Sequence, residues 1–181
     1  MATADALTYP TASALRDCMR AEAVDTLLGR VADAVVRFGA AGGAVMDGCD
    51  CGGTDADGNP TNGRAAVRVA QVAPYVLAGR AERGGGGIRA QRCGQAWIVT
   101  YELTYVRCYP TTSDGRPLLA VDVDVQAQRF LSDQAALMRV INCCAYLDKH
   151  SGVELVTIVP VGPSGGCAGV QATIRVAQAR G

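Results

Sequence analysis

The chain has 181 residues, with 17 basic and 17 acidic side chains, so its formal net charge is zero. This length predicts a single domain spanning residues 1–181, and a hydrophobic content of 49% provides enough apolar surface for a folded core. Proteins that bind nucleic acid over a broad face are usually strongly basic, so the composition gives no support for that class. No uninterrupted apolar run approaches the about 20 residues that span a bilayer, so we expect no membrane partner.

The first half of the chain predicts a helix followed by two strands. We expect residues 1–13 to be loose and residues 14–38 to be helical, because Val24, Leu27, Leu28, Val31, Val35 and Phe38 recur at helical spacing. Residues 47–63 are rich in Asp, Gly and Asn and predict a loop. A strand follows over 64–77, with Pro74 placing its second half at an edge or bulge.

The second strand is the most regular element of the sequence. Between Trp97 and Arg107, apolar and polar residues alternate, which is typical of a strand with one buried face. Residues 79–92 would form the flexible tip of a long hairpin joining the two strands, because four consecutive glycines, Gly84 to Gly87, do not favour regular structure. The predicted core contains Trp97, Tyr101, Leu103 and Phe130.

The second half predicts a helix over 121–147, a buried strand over 153–159 and a last strand over 170–176. The order helix, strand, strand, helix, strand, strand predicts an α+β fold. Its mostly antiparallel four-stranded sheet would carry two helices on one face.

No motif predicts catalysis or a cofactor. Residues 162–166 match the G-x-S-x-G pattern of hydrolases, but a strand rather than a helix is expected after them and the single His150 precedes Ser164. A hairpin turn explains this stretch better. The acidic stretch 55–59 lacks the Gly and Glu that a calcium loop requires at its sixth and twelfth positions. We therefore predict no catalytic, cofactor-binding or metal-binding residues and no enzymatic activity.

Eight cysteines allow disulfides, buried thiols or a zinc site, and the spacing does not choose among them. Paired C-x-x-C motifs, the strongest zinc signal, are absent from the sequence. Candidates for structural disulfides lie at the predicted element boundaries: Cys51, Cys93, Cys108, Cys143 and Cys167.

The predicted hairpin tip has a local excess of positive charge. Four arginines in this stretch are opposed by Glu82 alone. A solvated loop explains them, but a basic tip could also contact a neighbouring subunit or a phosphate backbone. The four candidates for an assembly or DNA-facing loop are Arg80, Arg83, Arg89 and Arg92.

Three stretches resemble a known family. They are W-I-V-T-Y-E-L-T-Y-V-R-C-Y-P at 97–110, V-P-V-G-P-S-G-G-C-A-G at 159–169, and the Cys-rich turn at 49–52 before a Val-Arg-Val strand. Together they resemble head-to-tail connector proteins of tailed bacteriophages that infect GC-rich hosts, of the actinobacteriophage type. The predicted element order is also similar to the tail-terminator fold.

The resemblance implies a structural virion protein at the head–tail junction. Such a protein, made in the host cytoplasm, forms a ring, typically of six subunits, that caps the tail tube and joins it to the neck. Its expected partners are the tail tube protein and neck proteins, with at most transient contact with DNA in the lumen. The resemblance implies structural roles for Cys51, Cys93, Cys108 and Cys167, and for Trp97 and Arg107. Two alternatives stay open: a neighbouring neck protein (stopper or adaptor), or a small binding domain stabilised by disulfides or zinc.

Overall fold

The computed structural model describes the chain in nine stretches: residues 4–23, 33–38, 49, 51–54, 60–74, 97–110, 118–150, 152–164 and 166–178. The elements in chain order are α1 (Ala4–Ala23), β1 (Asp33–Phe38), β2 (Cys51–Thr54), β3 (Pro60–Asn62), β4 (Arg64–Pro74), β5 (Trp97–Cys108), α2 (Ala120–Cys143), β6 (Gly152–Ser164) and β7 (Cys167–Gln178). A short 3-10 turn, Leu147–Lys149, follows α2.

The main sheet has five strands in the order β1-β4-β5-β7-β6. Strands β4, β5, β7 and β6 are antiparallel to their neighbours, whereas β1 pairs with β4 in parallel at the edge. Strands β2 and β3 form a separate antiparallel pair. The predicted α+β class, with four antiparallel strands, is confirmed. The β4–β5 pairing also supplies the body of the predicted long hairpin.

Both described helices pack on one face of the sheet, as predicted, and the core lies between the helices and that face. The alternation of β5 places its odd-numbered residues on this face, and β4 and β7 contribute the residues beside them. The fully buried members of this core with the largest side chains include Leu15, Met19, Val67, Val99, Tyr101, Leu103, Tyr105, Leu137, Val140, Ile174 and Val176.

Two tyrosine hydroxyls of β5 attach α1 to the sheet. Tyr101 Oη donates to the carbonyl of Thr8 at 3.2 Å, and Tyr105 Oη donates to the carbonyl of Met19 at 2.5 Å. Burial raises the pKa of Tyr101 to about 12, and burial together with the nearby Asp133 carboxylate raises the pKa of Tyr105 well above its ordinary value. Both hydroxyls therefore stay protonated donors at neutral pH.

The opposite face of the sheet has a small second core at one end. Ala66, Val106 and Cys167 are buried there, with Cys49 packed against them, and Cys49 is disulfide-bonded to Cys167. Gly63 has φ +90°, and a Cβ there would overlap the backbone carbonyl of Val106. Only glycine therefore fits at this close approach.

Two predictions about the N-terminal region are wrong. Helix α1 begins at Ala4 rather than Ala14 and ends at Ala23, because its buried stripe is formed by Ala12, Leu15 and Met19 upstream of the predicted one. Residues 33–38, assigned to the helix, form the parallel edge strand β1. The adjacent β-branched residues Val35 and Val36 suit that extended backbone. Val35 and Phe38 also fit helical spacing, which is why the sequence pattern predicted a helix here.

Other expectations need correction further along the chain. β6 is an exposed edge strand rather than a buried one, because β7 is its one partner among the described strands. Trp97 and Phe130, predicted for the core, are only partly buried, since each lies toward the end of the packed region. The predicted hairpin tip at 79–92 and the predicted helical residues 24–32 lie outside the described residues.

The first prediction tests the packing of α1. Leu15→Ala removes a fully buried side chain, so we expect a loss of about 2–5 kcal/mol in the free energy of unfolding, measured by urea denaturation. The matched control, Leu119→Ala directly before α2, where the residue is 70% exposed, should change it by about 0.5 kcal/mol or less. Equal losses for the two variants would show that α1 does not form part of the core.

Candidate functional site

A buried ion pair joins the central strand to α2. Arg107, on β5, donates from Nε to Asp133 Oδ2 at 2.9 Å and from an Nη atom to Oδ1 at 2.8 Å. The two side chains are 3% and 1% exposed, and the guanidinium lies 5.5 Å from the centre of the Tyr105 ring. This two-point contact compensates the desolvation of both charges and fixes the angle between strand and helix.

An open groove of about 480 Å³ lies beside this ion pair. One wall is the end of β5 and the two residues after it, and the other is the first half of α2. The lining residues are Cys108, Tyr109, Pro110, Asp122, Val125, Gln126 and Arg129.

The strand-side wall of the groove is held by three contacts. The Tyr109 ring stacks on Phe130, with centroids 6.5 Å apart and planes at 12°. The Tyr109 backbone N–H donates to the carbonyl of Gly166 at 2.8 Å. Cys108 is disulfide-bonded, with a partner outside the described side chains. The groove therefore exists before any ligand enters it.

The helix-side wall is polar. Asp122, Gln126 and Arg129 are spaced by four and three residues and share one side of α2. Gln126 is only 5% exposed, but its amide is not a buried unpaired group, since Arg64 Nε is the one such atom among the described residues. Within the same residues, Asp122 and Arg129 form no ion pair.

A separate apolar surface lies on the other side of α2. Its apolar residues lie one above the other along the helix, at spacings of four, four and seven: Val123, Ala127, Leu131 and Met138. The three large ones are exposed. They are 47%, 65% and 37% exposed in that order. We call this set the outer stripe, and it carries no charge.

The edge strand β6 exposes apolar side chains on both faces of the sheet: Leu155 is opposite Ile174 and lies on the helix face, whereas Val159 is opposite Gln171 and lies on the other face. Leu155, Val156 and Val159 are 37–43% exposed, and the single charged residue of β6 is Glu154, which lies 3.6 Å from Arg175. α1 packs over β4 and β1, and α2 packs over β7 and β6. Arg139, which pairs with Glu22 of α1 at 2.6 Å, is about 100° around α2 from Met138. The outer stripe therefore points away from α1, toward the side of the molecule where β6 is the edge.

Two of the five candidate cysteines are disulfide-bonded, and one, Cys143, is not. Cys167 is bonded to Cys49, and Cys108 is bridged as well. Cys143 is a free, exposed thiol, while its neighbour Cys144 is bonded to Cys18 and attaches α1 to the end of α2. Cys143 lies on the outside of the last turn of α2, so only Cys144 faces α1. Cys93 and the side chain of Cys51 lie outside the described residues.

The remaining sequence motifs have simple structural roles. Residues 162–164 of the G-x-S-x-G stretch form the end of β6, with Ser164 exposed and paired with Cys167 of β7, so a strand and not a helix follows the motif. His150 lies beside Thr11, 3.5 Å from Nε2 to the hydroxyl, and burial, with the nearby charge of Lys149, lowers the pKa of this histidine. Across the described stretches, no group of three or more His, Cys, Asp or Glu side chains could hold a metal ion. Neither described helix is both long and apolar enough to cross a membrane.

Some of the residues selected from the sequence lie in the core or beside the groove, and others lie outside the described residues. Tyr101 and Leu103 are fully buried, and Phe130 packs on Tyr109 beside the groove. The four arginines at 80–92 lie outside the described residues. Sequence reasoning missed Asp133, Gln126 and Arg129. The sequence did indicate that Asp133 is buried, because it lies at helical spacing between Phe130 and Leu137, on the same side of α2.

Comparison with known proteins adds no relative: the sequence matches no protein-family model and no curated protein. The resemblance to phage connector proteins therefore stays a prediction.

The second prediction concerns the buried ion pair. Arg107→Met or Asp133→Leu alone leaves a buried charge without its partner, so we expect each to lower the free energy of unfolding by about 3–5 kcal/mol. The double variant should lose clearly less than the sum of the two, because it removes both charges. Urea denaturation of all four proteins measures this coupling. Additive losses would show that the two side chains do not interact in solution.

Proposed function

We propose that the chain is a non-enzymatic assembly protein of the phage head–tail junction, a tail terminator that acts as a ring. The observation that carries the proposal is the apolar edge strand β6, which pairs with β7 alone among the described strands, together with the outer stripe of α2. The ring, its six copies and its tail-tube and neck partners come from the sequence resemblance. The structure contributes a surface suited to contact between copies.

The edge strand supports this proposal. An uncovered apolar edge promotes pairing with another chain, and natural proteins usually protect such edges with lysines, prolines or bulges. In β6, Pro160 and Pro163 occupy only the second half, and one bulge lies at Val156. The stretch 152–159 contains no lysine, arginine or proline, so it is the part most open to pairing with a neighbour.

The outer stripe supports it as well. Exposure of large apolar side chains to water is unfavourable, and the free energy falls when another protein covers them. Because Leu155 lies on the same face of the sheet as α2, a neighbour that pairs with the β6 edge could also cover the outer stripe. In a ring each copy contacts the next through two different surfaces, so this surface would meet a different part of the neighbour.

The disulfides are compatible with a virion protein. Thiols stay reduced in a typical cytosol, but a particle that leaves the cell can oxidise. The Cys18–Cys144 and Cys49–Cys167 bridges span sequence separations of 126 and 118 residues. Bridges over such long separations typically contribute about 2–4 kcal/mol each by restricting the unfolded chain.

The same bridges favour one second candidate, a small disulfide-stabilised binding domain that works as a monomer. Oligomeric mass separates the two functions. A neighbouring neck protein, the stopper or adaptor, would share the ring and differ only in which partner it binds.

The third prediction tests the assembly surface. We expect the wild-type protein to form a species near six subunits by light scattering, with rings visible in negative-stain images. Val159→Lys places a charge on β6 and should raise the concentration at which copies associate about tenfold or more. The matched control is Val72→Lys on β4, since both valines are 41% exposed.

Val72→Lys should assemble like the wild type, and thermal unfolding at low concentration should show that both variants fold. Equal behaviour of the two lysine variants would contradict the proposed surface. A strictly monomeric wild-type protein that also fails to associate on isolated tail tubes would contradict the ring and favour the binding domain.

A further inference from the structure

The main sheet has two outer edges, and they run in opposite directions. Among the described strands, β1 pairs with β4 alone and β6 pairs with β7 alone. β1 is parallel to β4, and each of the remaining pairings across the sheet is antiparallel, so β1 and β6 are antiparallel to each other. If the sheet of one copy continues into the next in the same orientation, β6 meets β1 as an antiparallel pair.

The two edges also match in length and in the order of their faces. β1 has six residues, none of them proline, and the stretch 153–159 of β6 supplies the same number once the bulged Val156 is left out. An antiparallel register that sets Asp33 opposite Val159 uses all of them. The register of β1 with β4 places its odd-numbered residues on the sheet face away from the helices, where Val159 also lies. Facing residues therefore share one face along the whole pair.

This register also matches one pair of opposite charges, because it sets Arg37 of β1 opposite Glu154 of β6. Within one copy, Arg37 is opposite Arg68 of β4, and Arg68 is already paired with Glu102 at 2.7 Å. The Glu154 side chain is 66% exposed and lies 3.6 Å from Arg175, so it is accessible to a second basic group. Opposite charges directly across a strand pair are stabilising and like charges are destabilising. Glu154 of a neighbouring copy therefore supplies the charge that β4 does not offer to this position.

The helices place apolar side chains above both edges. α1 lies over β4 and β1, and α2 lies over β7 and β6. Tyr9 of α1 is 49% exposed. It is about 180° around α1 from Cys18, which is bonded to Cys144 at the end of α2. Tyr9 therefore points away from α2, toward the side where β1 is the edge, and in a continuous sheet it would lie beside the outer stripe of the next copy.

We propose that β6 of each copy pairs with β1 of the next, so that the sheets of all subunits join into one antiparallel sheet around the ring. This inference rests on the proposed ring and names the part of the neighbour that β6 meets. Two different edges meet, so the contact is heterologous and repeats around a closed ring. Both edges gain backbone hydrogen bonds, as in recognition by strand addition.

An exchange of charges tests this pairing. Arg37→Glu and Glu154→Arg each set like charges opposite each other, so each should raise the concentration at which copies associate about tenfold. The double variant restores opposite charges and should associate at a concentration within about threefold of the wild-type value. Light scattering over a dilution series measures association, and thermal unfolding at low concentration checks that each variant folds.

Two controls separate contact between copies from other effects of charge. Arg37→Glu with Asp148→Arg has the same net charge as the exchanged protein, but Asp148 lies in the short turn after α2, outside both edge strands. Glu154→Arg with Arg175→Glu restores the contact within one copy and still leaves Arg37 of the next copy opposite a positive charge. Neither control should restore association.

Hydrogen exchange gives a second readout. The amides of residues 33–38 and of 153–159 should both exchange more slowly in the assembled wild-type protein than below the concentration of association. Two copies could instead pair β6 with β6 about a twofold axis, and that contact would protect 153–159 alone. Protection confined to β6 would overturn the proposal.

The remaining outcomes distinguish this inference from the ring itself. A ring that forms in the wild type, while the charge exchange fails to restore association, would overturn the β1 pairing and leave the ring. Restoration by either control would overturn the pairing as well. A wild-type protein that stays monomeric, both alone and on isolated tail tubes, would overturn the ring and this inference together.

Discussion

The buried ion pair between Arg107 and Asp133 sets the position of α2, and both candidate surfaces of the molecule depend on that position. Arg107 occupies the buried face of β5, where the preceding odd-numbered residues are apolar or aromatic. A charge there is tolerated because Asp133 contacts it with both carboxylate oxygens and the Tyr105 ring lies beside it. The two hydrogen bonds between these side chains fix the position and angle of α2 against β5.

The rest of the helical layer follows from that placement. Cys144, directly after α2, is bonded to Cys18, and Arg139 pairs with Glu22, so α1 is attached to α2 along its second half. The two helices cover one face of the sheet and α2 reaches β6, but among the described strands nothing pairs with the outer edge of β6. The first half of α2 extends past the packed core, because Gln126 is its only buried residue before Asp133. The groove and the first part of the outer stripe, Val123 and Leu131, lie on two sides of this extended part, which explains why both are accessible to other molecules.

The parts of this fold that depend on local pattern could be predicted from the sequence. The alternation of β5 determines which side chains enter the core, and Tyr101 and Leu103 are both there. The helix at 121–147 was predicted close to its observed bounds, Ala120–Cys143. The helix at 14–38 failed because α1 is stabilised by residues further upstream, and β1 forms only because β4 offers it a parallel partner. Sequence alone does not reveal which strand lies at an edge, so the exposure of β6 could not be foreseen.

The candidate site was harder to predict, for a physical reason. Two charged residues, Arg107 and Asp133, interrupt buried faces of otherwise regular elements, and each interruption signals a buried partner. Their pairing across 26 residues depends on tertiary packing. The burial of Gln126 likewise depends on how α2 lies on the sheet. The disulfides follow the same rule: Cys143 and Cys144 are adjacent, and only the direction of the last helical turn decides that Cys144 meets Cys18.

Hydrogen exchange at the β6 backbone tests the central claim most directly, since a free edge exposes its outward amides and a covered edge protects them. We predict that protection of residues 152–159 and of the outer side of α2 rises as protein concentration rises through the range in which copies associate. The buried strand β5 should be unchanged across that range. Rapid exchange of β6 amides at every concentration, in samples that light scattering shows to be oligomeric, would contradict the account and place the contact between copies elsewhere.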